Sequence, residues 1–232
     1  MNHQISTYML KINPTHDDII LMRDKKVLEY YDSSDSKAYR AYPYFVKNEK
    51  LILDHLTSLC GESVLDIGSG DSFWISHLGK TLDYYIGIDI GNGNCAITQK
   101  DMSRASKHVI TITADVFSTD YSVFNAETVF LGFFCSHFHQ HTIVSLLEKI
   151  YVSVRPRNII ILDSFWSSYR KKRFVKNDLR LHVRYFGDDN DCVHVPKRYI
   201  THEDISSIST QLKLNSDLVY CDDFWCLINM KA

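Results

Sequence analysis

The sequence lacks the short cysteine patterns that mark disulfide frameworks and zinc sites. Its six cysteines are scattered, with no CxxC pair and no His/Cys knuckle. No apolar run is long enough to span a bilayer, and the amino-terminal stretch MNHQISTYMLKINPTHDD has no charged start followed by an apolar segment. We therefore expect a cytoplasmic protein with free thiols, no metal site and no membrane partner.

Proline and glycine are also scarce, and the net charge is small. The 232 residues include four prolines and nine glycines, with no Pro/Gly-rich linker, repeat or low-complexity tract, so we expect a single domain over residues 1–232. The formal net charge of -2 disfavours a nucleic-acid partner, because a surface that follows a phosphate backbone is usually basic. A small-molecule partner, bound by a monomer or a homodimer, fits this composition better.

Short apolar runs rich in Val, Ile and aromatic residues recur, with room for a helix between them. They are SVLDIG (63–68), DYYIGIDI (83–90), HVITIT (108–113), TVFLGFF (128–134) and NIIILDSF (158–165). The alternation predicts βαβ units, and hence an α/β fold with a parallel sheet and helices on both faces. We expect a further helix within 39–59, and an irregular, charged region over 166–200.

The carboxyl-terminal part predicts a helix followed by a hairpin. Thr201 can cap a helix with Asp204 three residues on, a variant of the capping box. The segments SDLVYC and FWCLINM, separated by Asp222 and Asp223, predict an antiparallel hairpin. Five parallel strands and this hairpin make a seven-stranded, mostly parallel sheet.

The strongest local signal is a buried strand that runs into a tight turn, VLDIGSGDS (64–72). Glycines in such a turn let the backbone approach a ligand that side chains would obstruct. Asp89, 19 residues beyond Gly70, ends the next apolar strand, where a carboxylate can accept hydrogen bonds from both hydroxyls of a ribose. The alternative is a tight turn without a ligand, with Asp89 as a helix cap.

Two common nucleotides are disfavoured at this turn. A dinucleotide fingerprint needs its third glycine where Phe73 stands, and phenylalanine is too large for the close helix–strand packing that glycine permits. A phosphate-binding P-loop needs GKS or GKT close behind the strand, and the sequence has neither there.

The turn resembles the E/DxGxGxG motif of class I S-adenosylmethionine-dependent methyltransferases, over roughly residues 60–165 and the terminal hairpin. Asp66, Gly68 and Gly70 match, and Ser72 replaces the third glycine. The resemblance implies the Rossmann-like methyltransferase fold and S-adenosylmethionine as cofactor. It also implies a set of cofactor-binding positions: Asp66, Gly68, Ser69 and Gly70 in the loop, Asp89 and Ile90 at the ribose, Asp115 and Val116 at the adenine, and Phe134 at the methionine part.

Histidines follow the fourth apolar run, in SHFHQH (136–141). Because a histidine titrates near neutral pH, His137 and His139 are candidates for removing a proton from an acceptor, and His137 lies nearer the strand end. The alternative is that both decorate the start of the following helix. An HxHxH metal site lacks a supporting carboxylate in this stretch.

The flanking regions complete the predicted division into a lid region (1–59), a cofactor core (60–165), an acceptor-side insertion (166–200) and a terminal helix and hairpin (201–232). The resemblance implies a lid with an aromatic side chain near the sulfonium, and Tyr31 and Tyr39 are candidates. The alternative is that these tyrosines only pack the first helix. The basic run RKKR (170–173) is either a binding patch or a solvated charge run.

These observations favour methyl transfer to an O, N or C atom of a small-molecule acceptor, in specialised metabolism. GFFCSHF stands where methyltransferases of adenine or glutamine amide nitrogen carry an NPPY-type tetrad, which argues against these two acceptors. Two alternatives remain open: an aminopropyl-type transferase, for which Asp71 is the available carboxylate, and a catalytically inactive binding or regulatory module, suggested by Ser72.

Overall fold

A computed structural model describes residues 22–33, 37, 40–173, 181–186 and 193–231. Its helices are α1 (Lys25–Asp32), α2 (Pro43–Leu59), α3 (Phe73–Ser76), α4 (Asn92–Met102), α5 (Gln140–Val154), α6 (Ser168–Arg173) and α7 (His202–Leu212). Its strands are β1 (Ser63–Ile67), β2 (Leu82–Asp89), β3 (Ser106–Thr113), β4 (Thr128–Gly132), β5 (Asn158–Ser164), β6 (Leu181–Phe186), β7 (Val193–Arg198), β8 (Asn215–Cys221) and β9 (Trp225–Lys231). Short 3-10 turns cover Tyr121–Val123 and Cys135–His137.

Seven strands form one sheet in the order β3-β2-β1-β4-β5-β9-β8. Strands β1 to β5 are mutually parallel, and β9 runs antiparallel to both β5 and β8. The predicted mostly parallel sheet with an antiparallel terminal hairpin is therefore confirmed. The order reverses between β1 and β4, and a crevice at the carboxyl ends of these two strands is the usual ligand site of such a sheet.

Helices cover both faces of the sheet, as predicted. Neighbouring residues of a strand point to opposite faces, and consecutive apolar residues therefore feed two separate cores. One core joins the sheet to α5 and α7 and contains Leu65, Val129, Ile159, Ile143, Leu147, Ile205 and Ile208. The other joins it to α2 and α3 and contains Val64, Phe130, Ile160, Phe45, Ile52, Leu56 and Trp74.

The region 166–200 is more regular than expected. It begins with α6 and contains an antiparallel pair, β6 and β7, that forms a sheet of its own. Charged residues interrupt the apolar alternation of this region, so its two strands were not predicted. Strand β7 packs against α1 and against the 3-10 turn at Cys135–His137, so the ribbon lies at the carboxyl edge of the main sheet.

The predicted capping of α7 is confirmed. The Thr201 side chain accepts a hydrogen bond from the Asp204 backbone N–H at 3.1 Å, and the Asp204 carboxylate accepts one from the Thr201 N–H at 2.9 Å. Within the described ranges, the helices include none that is both long and apolar enough to cross a membrane.

Candidate functional site

The glycine loop lies at the carboxyl end of β1, beside β2. The N–H groups of Gly68 and Ser69 donate to the Ile88 carbonyl oxygen at 2.8 and 3.1 Å, so the loop folds back over the end of β2. Gly68 and Gly70 both have positive φ, +64° and +53°, a conformation that favours glycine. A Cβ at Gly68 would overlap the Phe134 ring, whereas a Cβ at Gly70 would meet nothing within 4 Å.

Asp89 is held by backbone on two sides at the end of β2. The Gly70 N–H donates to its Oδ2 at 2.8 Å, and the Gly91 N–H donates to its Oδ1 at 2.7 Å. Burial raises the pKa of Asp89, and these two hydrogen bonds oppose that rise. The Asn94 side chain also hydrogen-bonds this carboxylate, so of its roughly four acceptor positions one remains for a further donor.

Asp66 supports the loop from beneath. Its buried carboxylate accepts a hydrogen bond from the Tyr85 hydroxyl at 2.9 Å, and the Ser72 hydroxyl is bonded to that same hydroxyl. Burial raises the pKa of Asp66 to about 7, although the bond from Tyr85 lowers it. The Thr98 hydroxyl, which Ser72 also contacts, donates to the Gly70 carbonyl oxygen at 2.9 Å. This network fixes the shape of the turn from its buried side.

Ser72 retains the conformation that a glycine would have at this position. Its φ is +54°, in the left-handed region that costs an ordinary residue about 1–2 kcal/mol. The buried hydroxyl returns part of that cost through its bonds to Tyr85 and Thr98. Ser72, which replaces the third glycine, therefore takes part in the hydrogen bonds that hold the loop.

Asp115 and Val116 follow β3, next to Asp89. The Ala114 N–H donates to the Asp89 carbonyl oxygen at 2.9 Å, which brings the two strand ends together. The Asp115 carboxylate accepts from the Phe117 N–H at 2.9 Å and forms an ion pair with Arg23. Val116 is buried in the core.

Aromatic side chains form one wall beside the glycine loop. The ring of Phe134 lies 4.8 Å from that of Phe138 and 6.3 Å from that of Phe117, measured between centroids. Since Phe134 also abuts Gly68, the end of β4 and the end of β1 share this wall. Ile90, the remaining candidate at this edge, is 37% exposed.

His137 and Tyr31 meet across the carboxyl edge. The Tyr31 hydroxyl lies 3.2 Å from Nε2 of His137, and the two rings are 5.6 Å apart in an edge-to-face arrangement. His137 is buried in the 3-10 turn, whereas Tyr31 belongs to α1. His139 instead immediately precedes α5 and stacks on His141 at 5.8 Å. Tyr39 lies outside the described residues.

The segment before β1 contributes two further contacts that the sequence did not suggest. Arg40 binds Asp71 in a bidentate ion pair, with distances of 2.6 and 2.8 Å. Asp32, at the end of α1, accepts from the Asn94 N–H at 3.3 Å, in the first turn of α4. The sequence alone did not predict these contacts, because each pair joins residues far apart in the chain.

A buried ion pair lies at the end of β5. Asp163 accepts from the N–H groups of Ser136 and Ser164, at 2.8 and 2.6 Å. Nζ of Lys197, from β7, lies 3.6 Å from Asp163 Oδ1 and donates to the Ser136 hydroxyl. This cluster was not predicted from the sequence, in which Asp163 stands out only as a carboxylate within an apolar strand.

The basic run RKKR divides into two parts. Arg170 is buried, lies 4.1 Å above the Tyr199 ring and donates to the Phe224 carbonyl oxygen at 3.0 Å. Lys171 and Lys172 are exposed, as expected for a solvated charge run. Trp166 stacks on Tyr199 at 5.6 Å, which brings the two ends of the 166–200 region together.

Solved structures with the same architecture identify the fold. DhpI, in a complex with SAM and HEP, matches with a TM-score of 0.71 at 15% identity, over 90% of this chain and 97% of DhpI. The chain has the class I methyltransferase fold. A TM-score of 0.63 at 14% identity relates it to magnesium protoporphyrin IX methyltransferase (ChlM) from Synechocystis PCC 6803 with bound SAH, over 90% of this chain and all 100% of ChlM.

A third structure with this methyltransferase fold is the N-methyltransferase NodS from Bradyrhizobium japonicum WM9 in complex with SAH. Its TM-score is 0.58 at 13% identity, over 90% of this chain and 98% of NodS. Neither a protein-family model nor a curated protein matches the sequence. Similarity to these structures therefore lies in the arrangement of strands and helices far more than in the sequence.

Proposed function

We propose that this chain is an S-adenosylmethionine-dependent methyltransferase that acts on an O, N or C atom of a small-molecule acceptor. One observation carries the proposal. The Asp89 carboxylate is fixed by the Gly70 and Gly91 N–H groups at the switch point of the sheet, where it can accept a hydrogen bond from a ribose hydroxyl. The complexes of DhpI with SAM and of ChlM with SAH, which have the same fold, support it.

The residues around Asp89 fit this cofactor. The backbone of Gly68, Ser69 and Gly70 forms a turn whose outer side is open at Gly70, where a side chain would meet no neighbour. Asp115 and Val116, beside Asp89, would receive the adenine. Phe134 and Tyr31, with Ile90 near the ribose, would line the rest of the cofactor, and Asp66 acts from below by holding the turn.

Methyl transfer depends more on the alignment of the acceptor atom with the methyl carbon than on a strong acid or base. S-adenosylmethionine would supply an activated methyl carbon, which an electron pair of the acceptor atom would displace from sulfur. His137 would take the proton of an acceptor that must lose one, and Tyr31 would orient its ring. His139 is the weaker candidate, since its ring stacks on His141.

The acceptor class rests on several weaker features. A net charge of -2 disfavours nucleic acid, and GFFCSHF in place of an NPPY-type tetrad disfavours an adenine or glutamine amide nitrogen, so a small molecule is the favoured acceptor. The cysteines in the described part of the chain, Cys60, Cys95, Cys135, Cys221 and Cys226, carry free thiols, in keeping with a cytoplasmic enzyme. We keep a monomer or a homodimer as the expected assembly.

Both alternative functions lose support from specific contacts. An aminopropyl-type transferase would need Asp71 for a polyamine, and Asp71 is engaged by Arg40, which lowers its pKa despite burial. An inactive module was suggested by Ser72, and Ser72 is integrated into the buried bonding of the loop.

Calorimetric titration with S-adenosylhomocysteine, with NAD and ATP as controls, tests the cofactor. We expect selective binding of S-adenosylhomocysteine by the wild type. Replacement of Asp89 by Ala should weaken it at least about tenfold, because a hydrogen bond to a charged group contributes about 1.5–3 kcal/mol. The matched control is D83A, which removes a carboxylate from the opposite end of the same strand. Equal affinity in D89A and D83A would refute the ribose assignment.

A further inference from the structure

The ion pair of Lys197 and Asp163 is unusual in its burial. Lys197 is 5% exposed and Asp163 is 0% exposed, although both side chains are charged groups that prefer water. Such a pair gains little net stability, because the loss of hydration offsets the attraction of the charges. In some proteins buried ionic groups contribute a specific geometry instead.

Both partners of the pair hold Ser136. Asp163 Oδ2 accepts from the Ser136 backbone N–H at 2.8 Å, and the Lys197 ammonium donates to the Ser136 hydroxyl. Ser136 is itself fully buried, and its backbone and side chain are thereby fixed by groups from two different strands, β5 and β7.

Ser136 is the middle residue of the 3-10 turn that ends in His137. The turn is closed by the His137 N–H to the Phe134 carbonyl oxygen at 3.1 Å and by the Phe138 N–H to the Cys135 carbonyl oxygen at 3.2 Å. A rotation of Ser136 would change the direction in which His137 leaves the turn. The contact of His137 with Tyr31 depends on that direction.

We infer that Lys197 and Asp163 are positioning residues, which orient His137 toward Tyr31 through their joint hold on Ser136. This inference rests on the proposed role of His137 as proton acceptor. The pair also couples the ribbon of β6 and β7 to the candidate active site, since Lys197 reaches the turn from β7. Neither residue is assigned a contact with cofactor or acceptor.

The test measures the His137 ring directly, so that it needs no known acceptor. The full chain is labelled with carbon-13 at its histidine rings, saturated with S-adenosylhomocysteine where it binds, and studied by NMR, with H137Q identifying the His137 signals. We compare the wild type with K197M and S136A. The control is R198M, which breaks the neighbouring ion pair between β7 and Asp204 and leaves the contacts of Ser136 intact.

We expect K197M and S136A to shift the His137 ring signals and to lose the nuclear Overhauser contact with Tyr31, while R198M keeps both. The double variant K197M/S136A should shift the His137 signals no further than either single variant, because both changes remove the bond between Lys197 and the Ser136 hydroxyl. Unchanged His137 signals in K197M and S136A would overturn the inference. If K197M does not fold, S136A alone decides in either direction, because it retains the ion pair.

The two proposals fail separately. Absence of S-adenosylhomocysteine binding by the wild type would overturn the proposed function, and the His137 signals of the unliganded variants would still decide whether the pair positions the ring. Normal binding with unmoved His137 signals would overturn only the positioning role.

Discussion

Two buried aspartates lie in the same sheet, Asp66 in β1 and Asp163 in β5, and their partners differ in kind. Asp66 is bonded to the Tyr85 hydroxyl, which Ser72 also contacts, within one short stretch of chain. Asp163 accepts two backbone N–H bonds and faces a cation, Lys197, that arrives from a separate ribbon. We call the surroundings of Asp66 the loop corner and those of Asp163 the β5 corner. Neutral hydrogen bonds hold the loop corner, and an ion pair holds the β5 corner.

This difference has an electrostatic consequence. With hydroxyl partners alone, burial raises the pKa of Asp66 to about 7, so the carboxyl group can stay neutral in the folded protein. A charged partner would oppose such a rise. The partners of Asp66 also lie close to it in the chain. The contacts of Asp163, in contrast, are complete only when the ribbon of β6 and β7 has docked.

The largest expected effect separates the two acids directly. Asp163→Asn leaves Lys197 buried without its counter-charge and offers an amide N–H where two backbone N–H groups need acceptors. We expect a loss of about 3–5 kcal/mol in the free energy of unfolding, measured with urea at pH 8. Asp66→Asn, which keeps an acceptor for the Tyr85 hydroxyl, should cost far less. Equal losses would show that the ion pair is not what distinguishes the corners.

Two glycines of the loop test its contact with the Phe134 ring. Gly68→Ala combines a left-handed backbone with overlap against the Phe134 ring, so we expect a loss of about 2–4 kcal/mol. Gly70→Ala has the same backbone cost and open space, so about 1–2 kcal/mol is expected. Urea unfolding of both variants measures the difference. Losses of equal size would mean that Phe134 yields without cost.

The third comparison concerns pH. Because the pKa of Asp66 is raised from 3.8 to about 7, the folded state keeps its proton where the unfolded state has lost it. This group therefore makes stability fall as pH rises from about 4 to 7, with a limiting slope of about 1.4 kcal/mol per pH unit. D66N should be flatter than the wild type across this range in urea unfolding.

The control for the pH experiment is D83N, which changes a partly exposed carboxylate of β2 that pairs with exposed Lys107. Its difference from the wild type should not vary between pH 4 and 7 in the way expected of D66N. A wild-type slope that survives in D66N would assign the pH dependence to another group, with Asp89 the next to examine because its pKa is also raised by burial.

Much of the architecture was predictable because it follows from local patterns. Five apolar runs with helix-length spacers specify parallel strands, Thr201 with Asp204 specifies a helix start, and the break at Asp222 specifies the hairpin. The same holds for the glycine loop, where two positions have a positive φ that favours glycine. The strands of the 166–200 region escaped prediction, since a two-stranded ribbon carries only a weak apolar pattern.

The sequence by itself determined the succession of strands along the chain, the glycine loop and the placement of Asp89, because periodicity and turn chemistry are properties of neighbouring residues. Only the tertiary structure decided which partners the polar groups meet. It joined His137 to Tyr31 and turned His139 toward His141, and it brought Lys197 to Asp163. Those contacts depend on where separate elements dock at one sheet edge, and docking is set by packing over the whole chain.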